Sequence, residues 1–269
     1  MKTFLSALSL LILFSFLGKP ASAQDAEITI AVAANVQYAM RDLKTEFENK
    51  SGIQTKVIIG SSGQLTAQIQ QGAPYDVFIS ADMKYPRTLY QNKKAVNPPK
   101  VYAYGSLVLW TMKKGIPFQK GFKELLNNNI QKIALANPRT APYGAATIQV
   151  LKHYNIYNQV KDKLIYGESI APTNQYIVSK AADIGFTAKS VVLSPVMKGK
   201  GTWKEVNPDT YQPIKQGCVI LAYGQKHHPK ASKSFYDFML SPKAMKILKK
   251  YGYRIPEKVK QSAMKENSN

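Results

Sequence analysis

The residues best placed to do chemistry lie in the run VIIGSSGQL, Val57–Leu65. The apolar, β-branched stretch Val57 to Ile59 stops at Gly60. Ser61, Ser62 and Gly63 follow, and Leu65 and Ile69 then recur at helical spacing. That order reads as strand, tight turn, helix. Such a turn aims free backbone N–H groups and the positive end of a helix dipole at one point, with two hydroxyls beside it. It can hold an anion without any lysine or arginine. A plainer reading stands beside this one, in which Ser61 or Ser62 does no more than cap the helix. Three further turns share the grammar. Asn35 stands between the strand-like Ile28–Ala33 and a helix carrying Val36, Met40, Leu43 and Phe47, where it is either an N-cap or an amide donor. Tyr143 and Ile170 stand in the turns that follow the apolar runs 132–136 and 163–166.

Other chemistries find little support. A serine hydrolase wants G-x-S-x-G. Here Ser61 lies between Ile59 and Gly63, and Ser62 between Gly60 and Gln64. No phosphate-binding or dinucleotide fingerprint appears. Of three histidines, His227 and His228 precede Pro229 and read as the exposed start of a helix, with no acidic or thiol cluster to complete a metal site; His153 reads as a helix-surface residue. The single cysteine, Cys218, sits in the apolar run GCVIL and reads as a small buried hydrophobe. The acidic residues are few and form no catalytic pair. The chain is therefore expected to be no enzyme and to carry no cofactor. The four turns offer amide N–H groups, serine hydroxyls, the Asn35 amide and the Tyr143 hydroxyl. A phosphate that keeps a proton gains from an acceptor carboxylate, whereas a fully deprotonated oxyanion is suited by donors alone. The donor set favours a tetrahedral dianion of the sulfate or molybdate kind and does not separate the two.

The elements that must position these turns follow a regular rhythm. Strands are predicted at 28–33, 54–59 and 76–80, each followed by a helix, with Asp82 as a helix cap. Val101–Thr111, interrupted by Gly105, reads as one long crossover strand. The rhythm restarts with strands at 132–136, 163–166 and 183–187, helical spacing from Thr173 onward and an edge strand near Trp203. Cys218–Tyr223 reads as the last buried strand and the return crossover. These expectations describe an α/β chain of two lobes, each a mostly parallel sheet flanked by helices. The lobes are expected at 24–104 plus 222–269, and at 105–221. In open parallel sheets, ligands bind outside the carboxyl ends of the strands. Two such sheets facing each other would bring Asn35, Ser62, Tyr143 and Ile170 together as a clamp.

The 269 residues suffice for more than one domain. Lys2, the apolar run Phe4–Leu17 and Ala21-Ser22-Ala23 form a signal peptide over 1–23 with cleavage after Ala23, which predicts an exported protein. Lys and Arg number 37 against 16 Asp and Glu, for a net charge of +21. The lysines are spread along the chain and are not interleaved with aromatics, as a nucleic-acid partner would require, so they read as a solvated basic surface that steers anions.

Five segments carry a resemblance to the periplasmic molybdate-binding proteins of ABC transporters: AVAANVQYAM (31–40), GSSGQLTAQIQQGAPYDVFISAD (60–82), ANPRTAPYGAAT (136–147), DIGFTAKS (183–190) and FYDFMLSPKAMKILKKYGY (235–253). The resemblance spans nearly all of 28–253. It implies a type-II periplasmic-binding-protein fold with two crossovers and a hinged cleft, a periplasmic location, an ABC permease as partner, and a monomer. It implies capture of molybdate, and of tungstate with it, as the intact oxyanion and not by direct metal coordination. The family's oxyanion contacts fall at Asn35, Ser62, Tyr143 and Ile170, with backbone N–H groups doing the work at the last two. Ser61 is a further candidate. Some members use a tyrosine hydroxyl where this chain has Ala188; Ser190, Thr187 or a backbone N–H is the expected substitute. Alternatives on the same fold are sulfate, thiosulfate, an organic anion, ferric iron given the 16 tyrosines, or an enzyme.

Overall fold

The computed structural model describes residues 27–116 and 121–256. The signal peptide expected at 1–23 and the mature start at Gln24 lie outside the described residues. The chain runs β1 (Ile28–Ala33), α1 (Gln37–Ser51), β2 (Thr55–Gly60), α2 (Ser62–Gln70), β3 (Val77–Ile79), α3 (Lys84–Gln91) and β4 (Lys100–Gly105). It continues through β5 (Leu107–Thr111), β6 (Ile133–Ala136), α4 (Pro142–His153), α5 (Tyr157–Val160), β7 (Leu164–Gly167), α6 (Ile170–Val178), β8 (Ile184–Ala188), α7 (Lys189–Val192) and β9 (Thr202–Glu205). It closes with β10 (Ile214–Ile220), α8 (Ala222–His227), α9 (Pro229–Met239) and α10 (Pro242–Lys250).

Two five-stranded sheets result, ordered β2-β1-β3-β10-β4 and β7-β6-β8-β5-β9. In each, three parallel strands are followed by antiparallel pairing to a strand that arrives from the other lobe: β10 lies between β3 and β4, and β5 between β8 and β9. Parallel strands buried on both faces need continuous apolar runs, and β1 and β6 supply them as ITIAVA and IALA. Apolar side chains pack on both faces of the first sheet. A separate cluster fills the second lobe and reaches across to Ala33, Ala34 and Ala81 of the first. Gly52 ends α1 at φ 71°, a left-handed cap that favours glycine.

Three expectations are corrected. The long strand at 101–111 is two strands in two sheets, split at Ser106, where Lys189 N–H donates to the Ser106 carbonyl at 2.9 Å. Helix α6 begins at Ile170 and not at Thr173, because Pro172 occupies its first turn, where a missing N–H costs nothing. The return strand is 214–220 and not 218–223; the polar Lys215 and Gln216 and a register shift between Gln216 and Gly217 hide its start. The whole of β10 therefore pairs within the first sheet, although a boundary at 221 would put it in the second lobe.

Cys218 is fully buried, and burial pushes its thiol up to about 12 against the opposing pull of Lys100. Asp183, at the start of β8, pins the second sheet to its neighbours. Its carboxylate pairs with Lys113 and accepts N–H bonds from Gln131 and Lys132, both at 2.7 Å. Burial alone would raise its pKa; Lys113 and the two N–H donors overcome this and hold it below the ordinary 3.8. A carboxylate depressed in the fold adds stability above its unfolded pKa and loses it as pH falls through the folded value. Thermal melts of wild type and Asp183→Asn are expected to differ at pH 7 and to converge towards pH 3. An equal gap at both pH values would contradict this role.

Candidate functional site

The carboxyl ends of β1, β2, β6 and β7 deliver four turns to one place. A small cavity lies between the lobes and is lined by Ala34, Asn35, Ser61, Ser62, Tyr143 and Ile170, with Ser169 and neighbouring small residues completing the wall. The four residues selected from sequence thus meet at one cavity, and Ser61 joins them. Ala188 does not line it; it pairs with Leu107 at the end of β8.

Each turn presents backbone donors for a local reason. Ser62 is the first residue of α2, Ile170 the first of α6, and Tyr143 the second of α4, after Pro142, which has no N–H to offer. First-turn N–H groups have no carbonyl four residues back within their helix and carry the positive end of its dipole. Asn35 lies in the 3-10 turn Ala34–Val36 that enters α1. Among the described residues, the lining contains no charged side chain.

The side chains divide the labour. Ser61 is the cap of α2: its hydroxyl accepts from Gln64 N–H at 3.2 Å, and the Gln64 side chain accepts in turn from Ser61 N–H, a capping box. Ser62 is buried, and its Oγ accepts from Ala81 N–H at 2.9 Å. That bond occupies the oxygen and leaves the hydroxyl proton to donate. Asn35 is no helix cap; α1 and the 3-10 turn have no side-chain cap bond. Its amide nitrogen donates to Gln216 Oε1 at 2.9 Å and to the Tyr253 hydroxyl at 3.1 Å. The Tyr143 hydroxyl is likewise engaged, accepting from Gln216 Nε2 at 3.1 Å. Burial, with Tyr253 and Tyr211 nearby, raises the Tyr143 pKa well above the ordinary value against Gln216 and Asn35, so the hydroxyl is neutral. Asn35 therefore spends its side-chain N–H donors inside the protein and not on the cavity, whereas Gln216 fixes the oxygen of the Tyr143 hydroxyl and leaves its proton to donate. Thr187 donates to Asn174 Oδ1, and Ser190 to the Asn35 carbonyl at 2.7 Å, so neither hydroxyl supplies a donor in place of Ala188.

Sequence reasoning missed Ser169, Gln216 and Tyr253. Ser169 lines the cavity at the N-cap of α6, yet its side chain makes no cap bond, which leaves a hydroxyl beside the Ile170 N–H. A serine just before a helix start was the available signal. Gln216 was legible only as a polar residue next to an apolar strand. His228 was expected to be exposed; it is partly buried, with Nδ1 2.7 Å from Asp76 Oδ1.

The lobes are drawn together over the cavity. Gly63 N–H donates to the Thr140 carbonyl at 2.9 Å, Gln64 Nε2 to Glu168 at 2.8 Å and the Tyr85 hydroxyl to the Arg139 carbonyl at 3.0 Å. A neutral, donor-lined chamber between two lobes of this topology is what a solute receptor needs. Residues 28–254 match the family of bacterial extracellular solute-binding proteins. The chain belongs to that family. Among its relatives, a molybdate-binding protein ModA of Azotobacter vinelandii is 39% identical over 86% of this chain and 91% of its own length. One from Rhodobacter capsulatus is 37% identical over 88% of this chain and 91% of its own length. The structure of the Azotobacter vinelandii periplasmic molybdate-binding protein superposes with a TM-score of 0.80 at 33% identity, covering 85% of this chain and 99% of that one. The fold of this family member is thus the two-lobed type-II arrangement that the turns required.

Proposed function

We propose that this solute-binding protein captures molybdate, and tungstate with it, in the interlobe cavity and delivers it to an ABC permease from the periplasm, as a monomer. No bond is made or broken. The observation that carries the reading is the lining itself: helix N-termini at Ser62, Tyr143 and Ile170, the Ser62 hydroxyl and the Asn35 turn converge, with no charged side chain among the described lining residues. Helix N-termini favour anions. The absence of a lining carboxylate disfavours an oxyanion that must place a proton, such as phosphate. The molybdate-binding relatives support the choice of ion. In this reading the described residues form one lobe of 27–105 plus 214–256 and another of 106–116 plus 121–213, hinged about the two crossovers. A thermal-shift series with molybdate, tungstate, sulfate, phosphate and thiosulfate tests it. Molybdate and tungstate are expected to raise the melting temperature, by about 3 kcal/mol of stabilisation at a hundredfold excess over Kd. Stabilisation by sulfate or thiosulfate alone would move the assignment to those anions.

A further inference from the structure

We propose that Gln216 is the closure latch of the receptor, a positioning residue that ties the oxyanion turn of one lobe to that of the other. The proposal rests on the oxyanion reading above. Gln216 does not line the cavity, yet it is fully buried at the return crossover, and both ends of its amide are used. Oε1 accepts from Asn35 Nδ2 at 2.9 Å and from the Tyr102 hydroxyl at 2.7 Å, both in the first lobe. Nε2 donates to the Tyr143 hydroxyl of α4 at 3.1 Å, in the second. One planar amide therefore connects two residues that line the cavity from opposite lobes.

Three local features serve this arrangement. The register of β10 against β4 shifts between Gln216 and Gly217, and a bulge of this kind re-aims a side chain next to a site. Gly105, at the end of β4, is paired with Ile214. A Cβ there would stand 2.1 Å from the Tyr143 hydroxyl and 2.6 Å from Gln216 Nε2, so a bare backbone makes the room that the contact needs. The Asn35 carbonyl is held by the Tyr253 hydroxyl at 2.8 Å from its own lobe and by the Ser190 hydroxyl at 2.7 Å from the other. Separation of the lobes breaks the Gln216–Tyr143 and Ser190–Asn35 bonds together. An anion that holds the Asn35 and Tyr143 turns in place restores them. Glutamine suits the post because it donates to one lobe and accepts from the other with no charge beside the anion; glutamate keeps the acceptor and adds a charge of the wrong sign.

The test compares wild type, Gln216→Leu and Gln216→Glu by calorimetric titration with molybdate and by small-angle scattering with and without it. Wild type is expected to contract on binding. Gln216→Leu should bind about tenfold or more weakly, in the range of coupling between linked sites, and its contraction at saturating molybdate should be reduced. Gln216→Glu should bind weakly at pH 8 and regain affinity towards pH 6 as the buried carboxylate takes up a proton, while wild type stays flat; a merely structural role would not produce that profile. Full contraction of Gln216→Leu with affinity within twofold of wild type would overturn the latch. If Gln216→Leu does not fold, a flat profile for Gln216→Glu overturns it equally. Failure of wild type to bind molybdate at all would instead remove the oxyanion reading, and the latch with it.

Discussion

Ser62→Ala is expected to weaken molybdate binding by about 1–3 kcal/mol, the cost of leaving a charged acceptor without its hydrogen bond. The effect is large for one oxygen because Ser62 has a single proton to give and no alternative use for it. Its oxygen is fixed by Ala81 N–H at 2.9 Å, and its rotamer is therefore set before the ligand arrives. Removing it costs twice, since Ala81 is buried and its N–H loses an acceptor. Ser61→Ala is the matched control. Ser61 caps α2 through Gln64, so its removal should lower the melting temperature by the loss of a cap, about 1 kcal/mol, with little change in affinity. Calorimetry on both variants separates the roles. Equal affinity in Ser62→Ala and wild type would refute the assignment of Ser62, whatever the melting temperatures show.

Gly63→Ala is expected to act on closure and not on folding. A Cβ at Gly63 would lie 2.9 Å from Thr140 Cα, 3.0 Å from Thr140 Cβ and 2.8 Å from the Tyr85 hydroxyl. Thr140 belongs to the second lobe, and its backbone cannot step aside as a flexible side chain can. Within the first lobe the methyl group meets only the far end of the Tyr85 side chain, which can swing aside once its bond to the Arg139 carbonyl of the other lobe is broken, and alanine is the better helix former in the first turn of α2. The methyl group is thus accepted while the lobes are apart and excluded when they meet. Overpacking of this kind costs about 1–3 kcal/mol, and here the cost falls on the bound state. Molybdate affinity should drop by up to two orders of magnitude on that scale, with the melting temperature of the ligand-free protein unchanged or raised. A ligand-free protein that melts lower, with affinity intact, would mean that the 63–140 contact supports the fold and not closure.

The contrast between these two glycine-serine neighbours shows what a sequence can carry. The strand-turn-helix order around Gly60 was legible because local rules write it: β-branched residues before the turn, a capping box at Ser61 and Gln64, and apolar helical spacing after it. The same holds for the turns at Asn35, Tyr143 and Ile170, each at the carboxyl end of a strand. What each side chain does there was not legible. Asn35 and Tyr143 looked like side-chain donors, yet their polar ends turn to Gln216 and Tyr253, residues 181 and 218 positions from Asn35 in the first case and second. Contacts at that separation depend on the crossover geometry, and no local pattern encodes it. The split at Ser106 was hidden for a related reason, since an extended backbone looks alike whether it pairs in one sheet or in two. The true start of β10 was masked because Lys215 and Gln216 interrupt the apolar pattern exactly where the strand leaves the second lobe.

The central claim is that an intact tetrahedral oxyanion is held between the lobes by neutral donors. A crystal structure of the protein grown with molybdate, with anomalous differences collected at the molybdenum edge, tests it most directly. The account predicts one strong anomalous peak inside the cavity, with oxygens of the anion within hydrogen-bond reach of the Ser62 hydroxyl and of the backbone N–H groups of Asn35, Tyr143 and Ile170. A peak only on the basic outer surface, or oxygens held by lysine or arginine side chains, would contradict it.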